Sequence, residues 1–423
     1  MEFINIGLFG LGTVGSGIVE ILSKNGEIIS REIGKKIKLK KICVKDINKK
    51  RNLKLDKSIL TSNPDDIIND KEIDIVVEVI GGIDDAKKII EKSINNGKHI
   101  ISANKDLFAL YGDEITSLAK TNGVHLLFEA AVAGGIPILK ALQNDLYGNN
   151  IMKISGIVNG STNYILTRMD IENLNLQDVV EEAKKLGFLE ADPSADLEGL
   201  DAARKCAILA TIGFNNLVTT NDVYTCGITD ISLEDIKIAR NMGYKIKLLA
   251  TAENRKNGIV VMVHPTLLKN NHALASVDYE LNSVYLEGDM VGETMFYGKG
   301  AGSLPTGSAV IGDLVLISKK ITEKISPDYS YKIYNNKPIL DIDQLSFSYF
   351  FRLNIKENIP EENKIRDILG DLGIKIDMIN KINQNQYGII TKETPEIDFK
   401  NFKNSINNKL SLSSKIKEIR VLV

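Results

Sequence analysis

The sequence has no tryptophan, three cysteines, four histidines and a formal net charge of −2. Few cysteines in odd number, without a Cys-x-x-Cys pair, favour a reducing compartment over a disulfide scaffold. Near-balanced charge gives no global attraction to nucleic acid or an anionic membrane. No basic region precedes a long apolar stretch at the start, so we expect neither a signal peptide nor a membrane span. These absences together favour a cytoplasmic protein.

The first third of the chain alternates short apolar strands with helices, as parallel βαβ units do. The predicted strands are residues 3–9, 37–44, 74–80, 99–103 and 125–130, and the predicted helices run from Thr13 to about Lys24 and over 84–96 and 106–120. This α/β alternation predicts a Rossmann dinucleotide-binding domain over 1–134. A long apolar helix at 303–321 is expected to pack back on it.

The rest of the chain predicts two further domains. Residues 135–302 predict a mixed α/β catalytic and dimerisation domain with one sheet. The segment 322–346 loses periodicity and gains Pro, Asn and Tyr, as a linker does. Residues 347–423 have a βαββαβ order, which is typical of a small separate domain.

A glycine-rich turn follows the first predicted strand. Its G-x-G-x-x-G spacing between a strand and a helix is the context of a dinucleotide site. Such glycines permit a tight turn and let the backbone approach a pyrophosphate, which the helix N-terminus attracts. A plain strand-to-helix turn is the alternative. The residues predicted to bind the cofactor here are Gly10, Leu11, Gly12, Thr13, Val14 and Gly15.

The end of the second predicted strand leaves the choice between NAD and NADP open. Asp46 would accept hydrogen bonds from a ribose 2′-hydroxyl, which favours NAD. Lys45 and the run Lys49-Lys50-Arg51 would favour the 2′-phosphate of NADP. The run is equally typical of a solvated surface segment, and we predict Lys45 as a cofactor contact.

A cluster of carboxylates between Glu190 and Asp201 precedes Lys205. Asp201 and Lys205 are four residues apart and share one helix face. They form either an ordinary helix ion pair, worth about 0.2–0.5 kcal/mol, or part of an active site in which the lysine exchanges a proton with a substrate oxygen. Lys105 directly follows the fourth predicted strand, where ligands of parallel sheets bind, although a surface lysine is the alternative.

Several long motifs resemble those of homoserine dehydrogenases. They are NIGLFGLGTVGSG, GKHIISANKDL, FEAAVAGGIPIL, IVNGSTNYIL, AKKLGFLEADPSADLEGLDAARK and GETMFYGKGAGSLPTGSAVIGDL, and they cover roughly residues 3–320 in order. The resemblance implies interconversion of L-homoserine and L-aspartate 4-semialdehyde with NAD or NADP, in threonine and methionine biosynthesis. It also implies a homodimer or a higher homo-oligomer.

The same resemblance implies roles for single residues. Lys205 is expected to be the acid–base residue, Lys105 a second lysine near the nicotinamide, and either could move the proton. Glu190 is expected to bind the substrate ammonium. Asp201 is expected to belong to the catalytic group with the lysines, and Asp196 and Asp201 to support the substrate, a water or Lys205. Gly160, Ser161 and Thr162 are expected to form the loop beside the substrate, and Gly302 to contact the cofactor. Glu129, Val132, Gly134 and Ile136 are expected to be ligands, largely through backbone carbonyls, of a monovalent cation, usually Na⁺.

The last domain resembles an ACT domain, a module that often binds amino acids and dimerises. Its first loop, 357–362, lacks a glycine after Pro360, so effector binding and a purely structural or dimerising role are both open. Two other functions compete with the first. An aspartate-semialdehyde dehydrogenase would need an accessible nucleophilic cysteine, and a non-catalytic sensor would bind cofactor but need neither lysine.

Overall fold

A computed structural model of the chain describes residues 3–51, 53, 55–356 and 361–422. The glycine-poor loop of the expected ACT-like domain falls partly on 357–360, outside the described residues. Across the described ranges, no helix combines the length and hydropathy needed to cross a membrane.

Seventeen strands and thirteen α-helices are assigned within the described residues. The strands are β1 Phe3–Phe9, β2 Lys36–Cys43, β3 Leu60–Thr61, β4 Ile75–Glu78, β5 His99–Ser102, β6 Leu126–Leu127, β7 Ile151–Ile157, β8 Tyr224–Thr225, β9 Tyr244–Arg255, β10 Gly258–Lys269, β11 Leu281–Gly288, β12 Gly292–Lys299, β13 Ser346–Asn354, β14 Ile376–Asn383, β15 Gln386–Thr391, β16 Thr394–Pro395 and β17 Glu418–Val421. The helices are α1 Thr13–Ile33, α2 Asp65–Ile68, α3 Asp84–Asn95, α4 Lys105–Asn122, α5 Ile138–Lys140, α6 Gly160–Glu172, α7 Leu176–Lys185, α8 Ser194–Leu197, α9 Leu200–Phe214, α10 Leu233–Asn241, α11 Ser303–Glu323, α12 Glu362–Asp371 and α13 Glu396–Ser405.

The chain divides into two compact units. The first comprises 1–154, 207–220 and 286–336, and the second 155–206, 221–285 and 337–423. The grouping differs from the expected domains, because 347–423 shares a unit with much of 135–302 and the expected linker is divided at residue 336. The domain bounds given above therefore stay a prediction.

The first unit contains a parallel sheet in the order β3-β2-β1-β4-β5-β6. The order reverses between β1 and β4, so the turn after β1 lies at the switch point where such sheets bind ligands. The strands are apolar and buried, with Ile4, Ile6 and Leu8 at most 1% exposed, as strands covered on both faces require. The Rossmann-like α/β fold predicted for this part is confirmed.

Helix α1 is longer than the sequence pattern predicts. It continues past Lys24 and Gly26 to Ile33 and ends at Gly34, whose φ of 75° is left-handed. Glycine inside a helix costs only about 1 kcal/mol relative to alanine. Ile29 and Ile33 are buried, and their packing offsets that cost.

Helix α11 completes the core of the first unit, although it lies far along the chain. Its buried residues Val310, Leu314 and Ile317 belong to the same cluster as residues of β1. Helices α1 and α11 approach each other so closely that a Cβ atom on Gly17 would overlap the carbonyl oxygen of Ser303. Glycine is therefore required at that crossing.

The second unit is built on a mixed sheet in the order β11-β7-β9-β10-β17-β13-β15-β14. Strands β9 and β10 form a long antiparallel hairpin. The last strand, β17, lies between β10, to which it is parallel, and β13, to which it is antiparallel. The predicted βαββαβ element order of 347–423 is confirmed, with the short β16 added, and it continues the sheet of the unit.

A buried arginine marks the place where β17 joins this sheet. Arg420 is 6% exposed and forms an ion pair of 2.9 Å with the buried carboxylate of Glu396. Its guanidinium carbon lies 4.8 Å and 4.9 Å from the ring centroids of Tyr224 and Phe347. The same carboxylate accepts a hydrogen bond of 2.6 Å from the Tyr349 hydroxyl. Burial of the Arg420 guanidinium is tolerated because the paired carboxylate and the aromatic faces replace its contacts with water.

Candidate active site

The glycine turn has an open N-terminus suited to a phosphate. Gly12 is the N-cap of α1, has no side-chain cap, and a Cβ atom there would meet nothing within 4 Å. Gly10 has φ +100°, and a Cβ on Gly15 would overlap the carbonyl oxygen of Gly10. The first and third glycines therefore shape the turn, while the second leaves space. Uncapped N–H groups at a helix start bind anions, so these residues fit the pyrophosphate of a dinucleotide.

Gly302 lies close to this turn because the start of α11 contacts the start of α1. It is the N-cap of α11, with φ +116°. Its neighbour Ser303 donates a hydrogen bond of 2.7 Å from Oγ to the carbonyl oxygen of Thr13. The predicted late cofactor residue is thus brought to the first turn of α1, within the same unit.

Lys105 is the first residue of α4, at the carboxyl end of β5. Asn104 caps this helix by accepting the Leu107 N–H at 3.1 Å, and its amide donates to the Gly82 carbonyl at 2.6 Å. These contacts fix the start of the helix and therefore the backbone that carries Lys105.

A buried carboxylate supports the same turn. Glu78, at the end of β4, accepts hydrogen bonds from Ser102 Oγ at 2.6 Å and from the Ile80 N–H at 2.9 Å. Burial raises the pKa of Glu78. Sequence reasoning missed this residue, because a glutamate inside a short apolar strand gives no sign of the partners that satisfy it.

Lys205, on α9 in the second unit, is held by two oxygen atoms. Its Nζ donates to the Val158 carbonyl at 2.8 Å and to Asp201 Oδ2 at 2.7 Å. Asp201 is 8% exposed. The predicted i,i+4 pair is formed, and it lies in a partly buried setting that differs from an exposed helix ion pair.

Asn159 joins this pair to a second carboxylate. Its side-chain Nδ2 donates to Asp201 Oδ2 at 2.8 Å and to Asp196 Oδ1 at 2.6 Å. Its Oδ1 accepts the Thr162 N–H at 2.8 Å and so caps α6. Sequence reasoning missed Asn159 as a site residue, although Asn before Gly-Ser-Thr is a recognisable helix N-cap. One amide thus brings Asp196 and Asp201 together, and Asp201 in turn contacts Lys205.

The other predicted substrate residues surround the start of α6 or lie in the acidic loop. Gly160 and Thr162 belong to the first turn of that helix, rather than to a loop. A Cβ on Gly160 would lie 2.6 Å from the Glu280 carbonyl oxygen, so glycine is required there. Glu190 lies between α7 and α8, and its side chain is exposed.

The predicted cation residues form a buried turn in the first unit. Ala133 and Gly134 have φ values of 56° and 53°. The Glu129 carbonyl accepts the Val132 N–H at 3.4 Å, and the Ile136 carbonyl accepts the Ile138 N–H at 2.9 Å. Each of these two oxygens keeps a second lone pair, and the cation site itself stays a prediction.

The Glu129 side chain belongs to a buried charge cluster at the same turn. It accepts the Leu139 and Lys140 N–H groups, both at 2.8 Å. Asp313 of α11 accepts the Glu129 N–H at 2.9 Å and pairs with Lys140 Nζ at 2.9 Å. Burial, reinforced by the Asp313 charge, raises the pKa of Glu129 to about 7.

The cysteines differ in exposure. Cys43 and Cys206 are buried, and burial raises the pKa of the Cys206 thiol to about 12. Cys226 is exposed. A thiol nucleophile needs a lowered pKa and access, and neither buried cysteine meets that requirement.

Comparison with known proteins gives one consistent result. The family model described as "Homoserine dehydrogenase" matches residues 137–315, and that described as "Homoserine dehydrogenase, NAD binding domain" matches 10–129. A homoserine dehydrogenase of Bacillus subtilis is 41% identical over 96% of this chain and 96% of its own length.

Solved structures agree with the sequence matches. The crystal structure of a homoserine dehydrogenase from Thiobacillus denitrificans has a TM-score of 0.92 and 39% identity, covering 100% of this chain and 99% of that one. A hyperthermophilic archaeal homoserine dehydrogenase in complex with NADPH has a TM-score of 0.63 and 28% identity, covering 76% and 98% of the two chains. The chain therefore belongs to the homoserine dehydrogenase family of NAD(P)-dependent oxidoreductases.

Proposed function

We propose that this protein interconverts L-homoserine and L-aspartate 4-semialdehyde, and that Lys205 exchanges the proton with the substrate oxygen. The observation that carries the proposal is the double anchoring of Lys205 Nζ by the Val158 carbonyl and Asp201. A lysine ammonium has three donors. Two are used by the protein, which leaves one directed position for the reacting oxygen.

Oxidation of the alcohol requires loss of a hydride from carbon and of a proton from the hydroxyl. Bound NAD(P)⁺ supplies the hydride acceptor. Lys205, in its neutral form, accepts the hydroxyl proton, and its ammonium returns that proton to the aldehyde oxygen in the reverse direction. Asp201 fixes the position of Nζ, and Asn159 fixes Asp201 through the amide contact of 2.8 Å.

Charge complementarity supports the substrate assignments. Homoserine carries an α-ammonium, and Glu190 and Asp196 offer carboxylates in the same unit as Lys205. We assign Glu190 to that ammonium, because its side chain is exposed, and assign Asp196, Gly160 and Thr162 to supporting the substrate. Lys105 and Lys45 are assigned to the cofactor.

Four finer assignments rest on the family resemblance. They are a monovalent cation at Glu129, Val132, Gly134 and Ile136, a homo-oligomer, a cytoplasmic location, and an ACT-like role of 347–423. Activity measured with Na⁺ replaced by a bulky organic cation at constant ionic strength tests the cation assignment, since an unchanged rate contradicts it.

The test of the main proposal uses the purified full chain, L-homoserine, and NAD⁺ or NADP⁺ in parallel, with absorbance of the reduced nicotinamide as the readout. Lys205→Ala should lower turnover by about 10²–10⁴-fold, the usual contribution of a positioned acid–base group, with cofactor binding retained. Lys185→Ala, at an exposed lysine of α7, is the matched control. Full turnover in Lys205→Ala contradicts the assigned role, and cofactor binding without turnover in the unmodified protein supports the sensor.

A further inference from the structure

Tyr279 has a strained backbone conformation in the loop 277–280, which directly precedes β11 in the second unit. Its φ is 58°, and among the described residues it is the only aromatic residue with a positive φ. Left-handed backbone disfavours a bulky side chain, whereas glycine adopts it freely. Tyr279 is 40% exposed, so packing of a core does not explain why a tyrosine stands there. Strained residues persist where the surrounding structure holds them, and they cluster at functional sites.

A buried lysine holds this loop against α6. Lys247 of β9 is 2% exposed, and its Nζ donates to the Val277 carbonyl at 2.6 Å and to Asn163 Oδ1 of α6 at 3.0 Å. The Tyr279 N–H donates to Thr167 Oγ1, also of α6, at 3.1 Å. The contacts with α6 therefore sustain the strained conformation of Tyr279.

The Tyr279 ring belongs to an aromatic cluster, formed with Tyr164 and Phe188, beside the loop between α7 and α8. The ring centroid of Tyr164 lies 6.5 Å from that of Tyr279 and 4.7 Å from that of Phe188. Phe188 precedes Glu190 by two residues, and its carbonyl accepts a hydrogen bond of 2.7 Å from Ser161 Oγ. The aromatic cluster and this hydrogen bond thus support the loop that carries Glu190.

We propose that Tyr279 is a positioning residue for substrate binding, whose ring supports the loop from which Glu190 binds the substrate ammonium. The inference rests on the proposed function for the role of Glu190. A loop that its supports already hold loses less conformational freedom when a ligand binds, and this strengthens binding. Glycine would relieve the backbone strain at position 279 but could not supply the ring, which explains why a strained tyrosine is kept.

Steady-state kinetics of the full chain with L-homoserine and saturating NAD⁺ or NADP⁺ test the proposal. Tyr279→Ala should raise KM for homoserine by about two- to tenfold, the range that one aromatic pair contributes. The kcat should stay unchanged, because the interaction that is lost stabilises the bound substrate and the transition state equally. Tyr279→Phe keeps the ring and should keep KM.

Tyr279→Gly separates the ring from the backbone. It removes the ring and relieves the strain, so it should raise KM as much as Tyr279→Ala does, and it serves as the test variant if Tyr279→Ala does not fold. Tyr334→Ala is the matched control, because Tyr334 is a 68% exposed tyrosine outside the aromatic cluster, and it should leave KM unchanged.

A fluorescence measurement reports on the loop without any substrate. The chain contains no tryptophan, so Phe188→Trp introduces a single reporter into the loop. Acrylamide should quench this tryptophan more strongly in Phe188→Trp/Tyr279→Ala than in Phe188→Trp alone, whereas Phe188→Trp/Tyr279→Phe should behave like Phe188→Trp.

An unchanged KM in Tyr279→Ala, a normal KM in Tyr279→Gly, or unchanged quenching each overturns the inference. The quenching needs no homoserine, so failures can be told apart. Homoserine turnover by the unmodified protein, together with unchanged KM and quenching in the Tyr279→Ala variants, leaves the proposed function standing and removes the positioning role. Stronger quenching in a protein that does not turn over homoserine supports the role of the ring in the loop and contradicts the proposed function.

Discussion

Asn159 offers a way to separate helix capping from the support of the acid–base pair. Asn159→Ser keeps a side-chain oxygen for the N-cap of α6, because serine and asparagine cap equally well. It removes the amide that donates to Asp196 and Asp201 at 2.6 Å and 2.8 Å. Asn159→Ala removes the cap as well, so the difference between the variants measures the cap alone.

The expected energies follow from these contacts. A hydrogen bond to a charged group contributes about 1.5–3 kcal/mol. Water replaces the amide at half-buried Asp196 more readily than at Asp201, which is 8% exposed. We therefore expect Asn159→Ser to lower the free energy of unfolding by about 1–3 kcal/mol, and Asn159→Ala by about 1 kcal/mol more.

The effect on activity should be the same in both variants. Once Asp201 is released, Lys205 loses its fixed position, and a displacement of about 1 Å can cost about 100-fold in rate.

Denaturant unfolding gives the stabilities, and kcat gives the positioning effect. A purely structural role predicts that Asn159→Ser, once folded, has the turnover of the unmodified protein. That result would refute the reasoning. Equal stability of the two variants would refute the capping part alone.

Three other perturbations have defined outcomes. Gly12→Ala should weaken cofactor binding with little change in the free energy of unfolding, because its Cβ enters open space. Gly15→Ala should lower the free energy of unfolding, because its Cβ would overlap backbone. A larger loss of stability in Gly12→Ala than in Gly15→Ala contradicts the proposed turn. Because the pKa of Glu129 is raised from 4.5 to about 7, the stability it contributes is complete below about pH 4.5 and is lost as pH rises through about 7, by about 3 kcal/mol at most. The free energy of unfolding of Glu129→Gln, measured with urea, should therefore depend less on pH over that interval than that of the unmodified protein. An unaltered pH dependence contradicts the raised pKa of Glu129. Glu396→Ala leaves Arg420 buried without its partner and should cost about 3–5 kcal/mol, whereas a change within 1 kcal/mol in the same assay would show that water replaces the carboxylate.

The parts of the fold that the sequence predicted are those with a local signal. Strand β1 begins and ends where its apolar run does, and α11 follows its apolar periodicity closely. The extension of α1 beyond Lys24 was not predicted, because Gly26 is a local interruption that tertiary packing overrides. Strand β3 was missed because two residues carry no period.

The candidate site also shows that local sequence patterns predict only part of the structure. The glycine turn and the Asp201–Lys205 spacing are local patterns, and the structure contains both. Asn159 contacts Asp201 across 42 positions of sequence, and no single-sequence pattern reports such a pair.

The crossing of α1 and α11 has a consequence for how the chain is made. The core of the nucleotide-binding unit includes Val310 and Leu314, so this unit cannot finish folding until residues beyond 303 have left the ribosome. During that interval the segment 1–154 presents an uncovered apolar helix face, which is a site for chaperone capture or aggregation. A fragment that ends at residue 154 should share this weakness, and supplying α11 as a separate or fused segment should relieve it.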